Sequence, residues 1–394
     1  RDVEKLTVKN LGPIKYLPME TNRLTVLIGP QASGKSLLAQ MLYFFKEFDA
    51  MLAARFPVDS SVAGWFENVL AEMLMSLRAT HFRHYLGMDG VIEFASAGET
   101  IKLVQKNGGY WCDVLFDRTN RLLNCWEEDR RRLAAYESSG QLFIPTERSL
   151  YTRLSHNPVV LFSERMPYIL SRFSMALDEC GRAYDARNAF SAAPLSTVAA
   201  PDILDLLESK ALKGNVHFKR SGMSKGDWFF LQDAGGETLL QFPVNAVSSG
   251  QMETWPFFAI ANVYGMSDQP RTFYFEEPET HLHPKAQVEV VKTIAYLISR
   301  GHRFVITTHS PFILYVINNL IQAHMAYDGT PPEGEFSINP DHVAAYCLGD
   351  NPRSIVDEET HLLDLDEIDD VFDDIGEYFQ SMLDKAYAKR KKNK

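Results

Sequence analysis

The chain has 394 residues, longer than a usual single domain, and its 45% apolar and 23% charged residues exclude a disordered or collagen-like chain. A formal net charge of −11 excludes the overall basic footprint of a dedicated nucleic-acid binder, so any such contact must be local. The four cysteines, Cys112, Cys125, Cys180 and Cys347, lie far apart without CxxC pairing, and no run of about 18 apolar residues is present, so no disulfide framework, structural zinc site or membrane span is expected and a cytoplasmic protein fits best.

Lys5–Lys9 and Leu24–Ile28 read as strands leading into a glycine-rich turn, with a helix expected over Ser36–Phe48 and another over 66–87. Val91–Phe94, Ile101–Gln105 and Tyr110–Leu115 are short strand candidates split by turns such as Asn107-Gly108-Gly109, which predicts a small antiparallel subdomain. Between positions 121 and 212 the pattern is mostly helical, broken by the apolar stretch Leu142–Pro145, and 151–212 reads as a helical insertion. Strands then follow at Asp227–Gln232 and Thr238–Phe242, a helix after Ser249, a strand at Thr272–Phe275, a helix over Pro284–Ser299 and a strand at Arg303–Thr307. That alternation predicts a parallel sheet.

The end of the chain differs. Over 364–384, Asp364, Asp366, Glu367, Asp369, Asp370, Asp373 and Asp374 are set against Ile368, Val371, Phe372, Ile375, Phe379, Met382 and Leu383 at helical spacing, an acidic amphipathic helix. A basic tail with Lys385, Lys389, Arg390, Lys391, Lys392 and Lys394 closes it.

Four segments carry chemistry. Gly29, Pro30, Gln31, Ala32, Ser33, Gly34, Lys35 and Ser36 fit GxxxxGK[ST] between an apolar strand and a helix whose first turn includes Leu37. Glycines there let backbone N–H groups curl around phosphates at a helix N-terminus, where Lys35 would neutralise the β- and γ-phosphates of ATP and the Ser36 hydroxyl would ligate Mg²⁺. The strand Thr272–Phe275 ends in adjacent carboxylates, and strand neighbours point to opposite sides. Glu276 is therefore the candidate for Mg²⁺ and Glu277 the candidate base for the attacking water. Ser248, Ser249, Gly250 and Gln251 at a helix start offer hydroxyl and N–H donors to phosphate, or a simple N-cap. His309 ends the strand before Ser310-Pro311, where a γ-phosphate sensor would be wanted.

In this order, the P-loop, Ser248–Gln251, the string Glu276-Glu277-Pro278-Glu279-Thr280-His281-Leu282-His283-Pro284, and Thr308-His309-Ser310-Pro311 resemble the ABC-type ATPases of the OLD-like group, similar in their heads to chromosome-maintenance and recombination ATPases. The resemblance covers positions 1–45 and 240–325 well, and Phe143–Arg148 also resembles a segment of those heads. It implies an α/β ABC-type head with a parallel core sheet, an antiparallel strand subdomain and a helical insertion: 1–150 and 213–345 as the two halves of the head, 151–212 as the insertion, and 346–394 as the acidic helix and tail. It also implies that Ser248–Gln251 is the signature, Glu277 the catalytic base and His309 the switch histidine. ATP would lie between two heads, giving a homodimer or higher homo-oligomer.

Glu276 departs from the aspartate usual at that position, which leaves open whether ATP is spent slowly or held. Gln141 is the candidate for the glutamine of the Q-loop. Members of the group that carry a C-terminal Toprim nuclease need more chain than follows Thr308 here, so a stand-alone ATPase is expected. Such an ATPase resembles the ATPase subunits of bacterial anti-phage systems of the PARIS and Septu types. The resemblance then implies a sensor or scaffold that holds and releases a nuclease effector, Toprim-like or HNH, on a phage-derived trigger; the alternative is a DNA repair or recombination ATPase. His81 with His84, and His281 with His283, lack a third ligand at metal spacing, and Arg130, Arg131 and Arg132 read as a solvated helix face.

Overall fold

The computed structural model describes residues 3–55, 66–76, 85–106, 109–124, 140–154, 166–190, 202–220, 226–233, 239–365 and 373–385. Strand β3 (Leu24–Ile28) is apolar along most of its length and buried at every position, so it needs cover on both faces. It lies inside a sheet ordered β14 (Arg353–Ser354), β13 (Val343–Cys347), β3, β12 (Arg303–Thr308), β11 (Thr272–Glu276) and β7 (Gln141–Ile144). Only the edge pair β13–β14 is antiparallel; every other pairing is parallel.

Alternation along the strands divides their side chains between two cores. Val26, Phe273, Phe275 and Ile306 join one, whereas Leu27, Tyr274 and Val305 join the other. The first core is covered by α5 (Tyr168–Phe190), α6 (Ile203–Leu212), α7 (Ser249–Val263), α8 (Pro284–Ser299) and α9 (Pro311–Ala326). Helix α7 is buried from Glu253 to Asn262, consistent with apolar residues on all its faces. Phe257 stacks on Phe275 with ring centroids 4.7 Å apart, fixing α7 against the sheet. A small antiparallel sheet, β10 (Leu239–Pro243), β9 (Asp227–Asp233) and β8 (Asn215–Lys219), closes this side through Trp228 against Trp255.

On the other face lies α1 (Lys35–Arg55), whose Tyr43 meets Phe143 and Tyr274 edge-on at 5.3 and 5.4 Å. Its Phe45 stacks on Phe94 at 5.2 Å, joining the helix to a second antiparallel sheet. That sheet runs β2 (Ile14–Glu20), β1 (Lys5–Leu11), β4 (Leu86–Ser96), β5 (Glu99–Lys106) and β6 (Gly109–Trp111). The fold is therefore α/β, with a parallel core sheet and an antiparallel strand subdomain, as expected.

Several boundaries differ from the sequence reading. Helix α2 covers Phe66–Ser76, and positions 86–87 of the expected helix belong to β4. The expected strand over Tyr110–Leu115 stops at Trp111; α3 (Asp113–Asn124) takes over, with Leu115 and Thr119 buried at a four-residue spacing and Arg118 paired with Glu99. Strand β2 was not anticipated. At the C-terminal end, helix α10 spans residues 373–385, residues 366–372 lie outside the described residues, and Asp364 and Leu365 are not helical, the Asp364 N–H bonding the Ile355 carbonyl at 2.7 Å. His81, His84, Arg130–Arg132 and the basic tail beyond Lys385 lie outside the described residues. Among the described residues no helix is long and apolar enough to cross a membrane.

Candidate functional site

Parallel pairing brings the C-terminal ends of β3, β12 and β11 to one edge of the sheet, with Ile28 opposite Thr308 and Thr307 opposite Glu276. The loop after β3 turns through left-handed backbone at Gly29 (φ +148°), Ala32 (φ +59°) and Gly34 (φ +97°). At Gly29 the need for glycine is steric as well, since a Cβ would stand 2.1 Å from the Leu348 carbonyl oxygen. Pro30, Gln31 and Ala32 form the exposed tip, Ser33 and Lys35 are buried, Gly34 and Ser36 are half-buried, and Leu37 packs on the α1 core.

Lys35 folds back over the loop, donating from Nζ to the carbonyls of Gly29 (2.8 Å) and Pro30 (2.7 Å) and to Ser33 Oγ (3.4 Å). Its Nζ also stands 3.4 Å from His309 Nδ1. His309 Nε2 in turn lies 3.3 Å from Glu277 Oε1. Lys35, His309 and Glu277, from three separate strand ends, thus form one continuous row. Burial pushes the Lys35 ammonium below its ordinary value, opposed by the carboxylates of Glu277 and Glu279.

Glu276 is wholly buried at the end of β11, and its Oε2 accepts from the Thr146 N–H at 3.2 Å. Glu277, one residue on, has left the strand at φ +44°, although its N–H still reaches the Thr307 carbonyl at 2.8 Å. The two acids therefore diverge, Glu276 towards the 3-10 turn Thr146–Arg148 and Glu277 towards His309.

Three positioning groups had no assigned role in the sequence reading. Glu279 Oε1 accepts from Thr308 Oγ1 (2.8 Å) and from the N–H groups of His309 (2.7 Å) and Ser310 (3.2 Å), setting the turn that presents His309. Ser310 Oγ donates to Gln287 Oε1 at 2.8 Å, tying that turn to α8. Arg148, fully buried, donates to the carbonyls of Pro145, Glu253, Glu276 and Glu277. The string Phe143–Arg148 was the available signal for the last of these.

Ser248 to Gln251 sit apart from this row within one chain. Ser248 caps α7, with its Oγ accepting from the Gln251 N–H and the Gln251 side chain accepting from the Ser248 N–H in return. Gln251 Nε2 also donates to the Leu212 carbonyl at 2.7 Å, and a Cβ on Gly250 would meet the His281 carbonyl at 2.6 Å. Ser248 and Ser249 are exposed. His283 caps α8, accepting at Nδ1 from the Lys285 N–H, while His281 holds a left-handed turn at φ +57°. Gln141 is at the wrong end for a Q-loop glutamine: it pairs with Thr272 at the start of β11, and its Oε1 accepts from the Tyr274 hydroxyl at 3.0 Å.

Residues 147–314 match the AAA ATPase domain family AAA_15, a stretch that takes in Arg148, Ser248–Gln251, the paired acids and His309. No curated protein matches the chain. Similar solved structures include an Smc head bound to the C-winged helix domain of ScpA, at 14% identity over 90% of this chain and 97% of that one, with a TM-score of 0.38. An Smc head with an extended coiled coil bound to the C-terminal domain of ScpA derived from Pyrococcus furiosus is 12% identical over 95% and 99%, with a TM-score of 0.40. The SMC head domain from Thermotoga maritima is 9% identical over 90% and 98%, with a TM-score of 0.38. The matched family, together with a GxxxxGK[ST] loop between a buried strand and a helix, defines a P-loop ATPase domain.

Proposed function

We propose that the chain binds ATP with Mg²⁺ and hydrolyses it as an ABC-type ATPase, using the Ser248–Gln251 segment of a second copy to complete each site. The row from Lys35 through His309 to Glu277 carries this reading, because it joins a phosphate-binding cation to a carboxylate base at one sheet edge. The donor set fits the ligands. Among the described residues, Lys35 Nζ is held by carbonyls and a hydroxyl of its own loop together with His309, partners that phosphate oxygens can replace.

Ser36 Oγ and Glu276 would hold Mg²⁺, which when bound neutralises phosphate charge. Lys35 and the loop N–H groups, from Gly29 to Leu37, bind and orient the triphosphate. Glu277 Oε1 takes a proton from water, and His309, 3.3 Å away, holds that carboxylate in place. Exposure supports the sandwich: Ser248 and Ser249 face solvent, where a second copy can approach them.

We propose further that the ATP-dependent pairing is a switch that holds and releases a nuclease effector, Toprim-like or HNH, in an anti-phage complex. Helix α10 supports a partner-binding role: Ile375, Tyr378 and Phe379 are 62%, 68% and 63% exposed beside Asp373, Asp374 and Glu377. Native mass measurement with and without ATP tests both levels. A nucleotide-dependent doubling of mass is expected for the sandwich, and an additional nuclease-sized subunit for the complex. A Glu277→Gln protein that binds ATP yet stays monomeric would overturn the sandwich.

A further inference from the structure

We infer that Arg148 is a positioning residue that couples the helix starting at Ser248 to the base Glu277; the inference rests on the ATPase reading above. Its guanidinium is fully buried and reaches three segments at once. Nε donates to the Glu253 carbonyl at 2.5 Å, one turn beyond Gly250 on α7. Nη1 donates to the carbonyls of Pro145 (3.0 Å) and Glu276 (2.9 Å), and Nη2 to that of Glu277 (2.9 Å). The planar group lies over the Phe275 ring at 5.2 Å, which fixes its plane.

Fixing the carbonyls of Glu276 and Glu277 fixes the peptide planes on either side of the point where the chain leaves β11. Glu277 there adopts φ +44°, a conformation seldom taken by a residue with a Cβ, and this turn aims its carboxylate at His309. Thr280 Oγ1 is a second donor to the Glu277 carbonyl, at 2.8 Å. The same guanidinium grips α7, whose first turn carries the donors offered to a second copy's nucleotide. Movement of α7 on closure of two heads therefore reaches Glu277 through one side chain. A lysine, with a single point of charge, cannot fill four carbonyls in one plane.

The test uses the full chain with Arg148→Lys and Arg148→Met, each alone and with Glu277→Gln. Thermal unfolding, ATP affinity, kcat and KM are measured for all. The expected result is a folded Arg148→Lys protein with ATP affinity and KM within roughly threefold of wild type and kcat down at least tenfold, and a double variant with Glu277→Gln no slower than Glu277→Gln alone. A kcat within twofold of wild type in both Arg148 variants would overturn the inference, as would losses that multiply with Glu277→Gln. Failure of both variants to fold would assign Arg148 to the core and overturn it too. A wild-type chain without ATP binding or turnover would instead remove the underlying ATPase reading.

Discussion

Glu277 Oε1 and His309 Nε2 stand 3.3 Å apart across the ends of β11 and β12, although the whole of helix α8 and strand β12 lies between them in the chain. The contact depends on Glu277 leaving its strand in left-handed backbone, so its carboxylate is aimed by main-chain geometry as much as by its neighbour. Replacing Glu277 with Gln keeps the shape and removes the basic oxygen. ATP binding is expected to persist while phosphate release falls roughly 10²- to 10⁴-fold. Nucleotide titration and a phosphate-release assay on the same preparation separate the two effects.

Glu279 acts one step back. Its Oε1 gathers three donors from Thr308, His309 and Ser310. In Glu279→Gln the amide oxygen can replace some of these acceptor contacts but not the charge that strengthens them. Turnover is expected to fall about tenfold with ATP affinity retained, since the turn presenting His309 loosens while the P-loop is untouched. Equal losses in affinity and turnover would place Glu279 in nucleotide binding instead.

Much of the nucleotide edge was legible because its signals are local. The runs Leu24–Ile28 and Thr272–Phe275 are apolar but for Thr25 and Thr272, and each is followed at once by its chemistry, Gly29–Ser36 and Glu276–Glu277. Strand β2 was not legible: Pro18 interrupts it, and its aromatic residue Tyr16 is 57% exposed. Arg148 was legible as the end of the string Phe143–Arg148 but its contacts were not, for the carbonyls it serves on Glu253 and Glu276 are 105 and 128 residues away in sequence and carry no side-chain signature. The position of Gln141 at the far end of its strand followed from register, which a single sequence does not encode.

At Gly29, strain and close approach can be separated. Gly29→Ala places a Cβ 2.1 Å from the Leu348 carbonyl oxygen, whereas Gly301→Ala, also at positive φ (+99°), meets nothing within 4 Å. The second substitution is expected to cost about 1 kcal/mol from backbone strain alone and to leave ATP binding intact. The first is expected to cost at least about 2 kcal/mol and to abolish ATP binding, because relief of the clash moves the loop that holds Lys35. Chemical denaturation of both variants beside nucleotide titration checks the contrast.

The last expectation concerns pH. Glu208 on α6 is completely buried, and burial lifts its carboxyl from an ordinary 4.5 to about 8, against the pull of hydrogen bonds from the Val216 N–H (2.8 Å) and Asn215 Nδ2 (3.3 Å). A carboxyl whose folded pKa is raised is protonated in the native chain when it is already ionised in the unfolded one. Its contribution to stability is therefore full below pH 4.5, declines as pH rises towards 8, and changes no further above that. Glu208→Gln keeps an acceptor for the Val216 N–H and removes the titration. Relative to wild type, the variant is expected to gain stability steadily between pH 5 and pH 8, by an amount of order 1 kcal/mol per pH unit, and to hold that gain at pH 9. Urea unfolding of both proteins across this range measures the difference directly, and a difference that stays flat would mean that Glu208 is already ionised in the folded chain at pH 5.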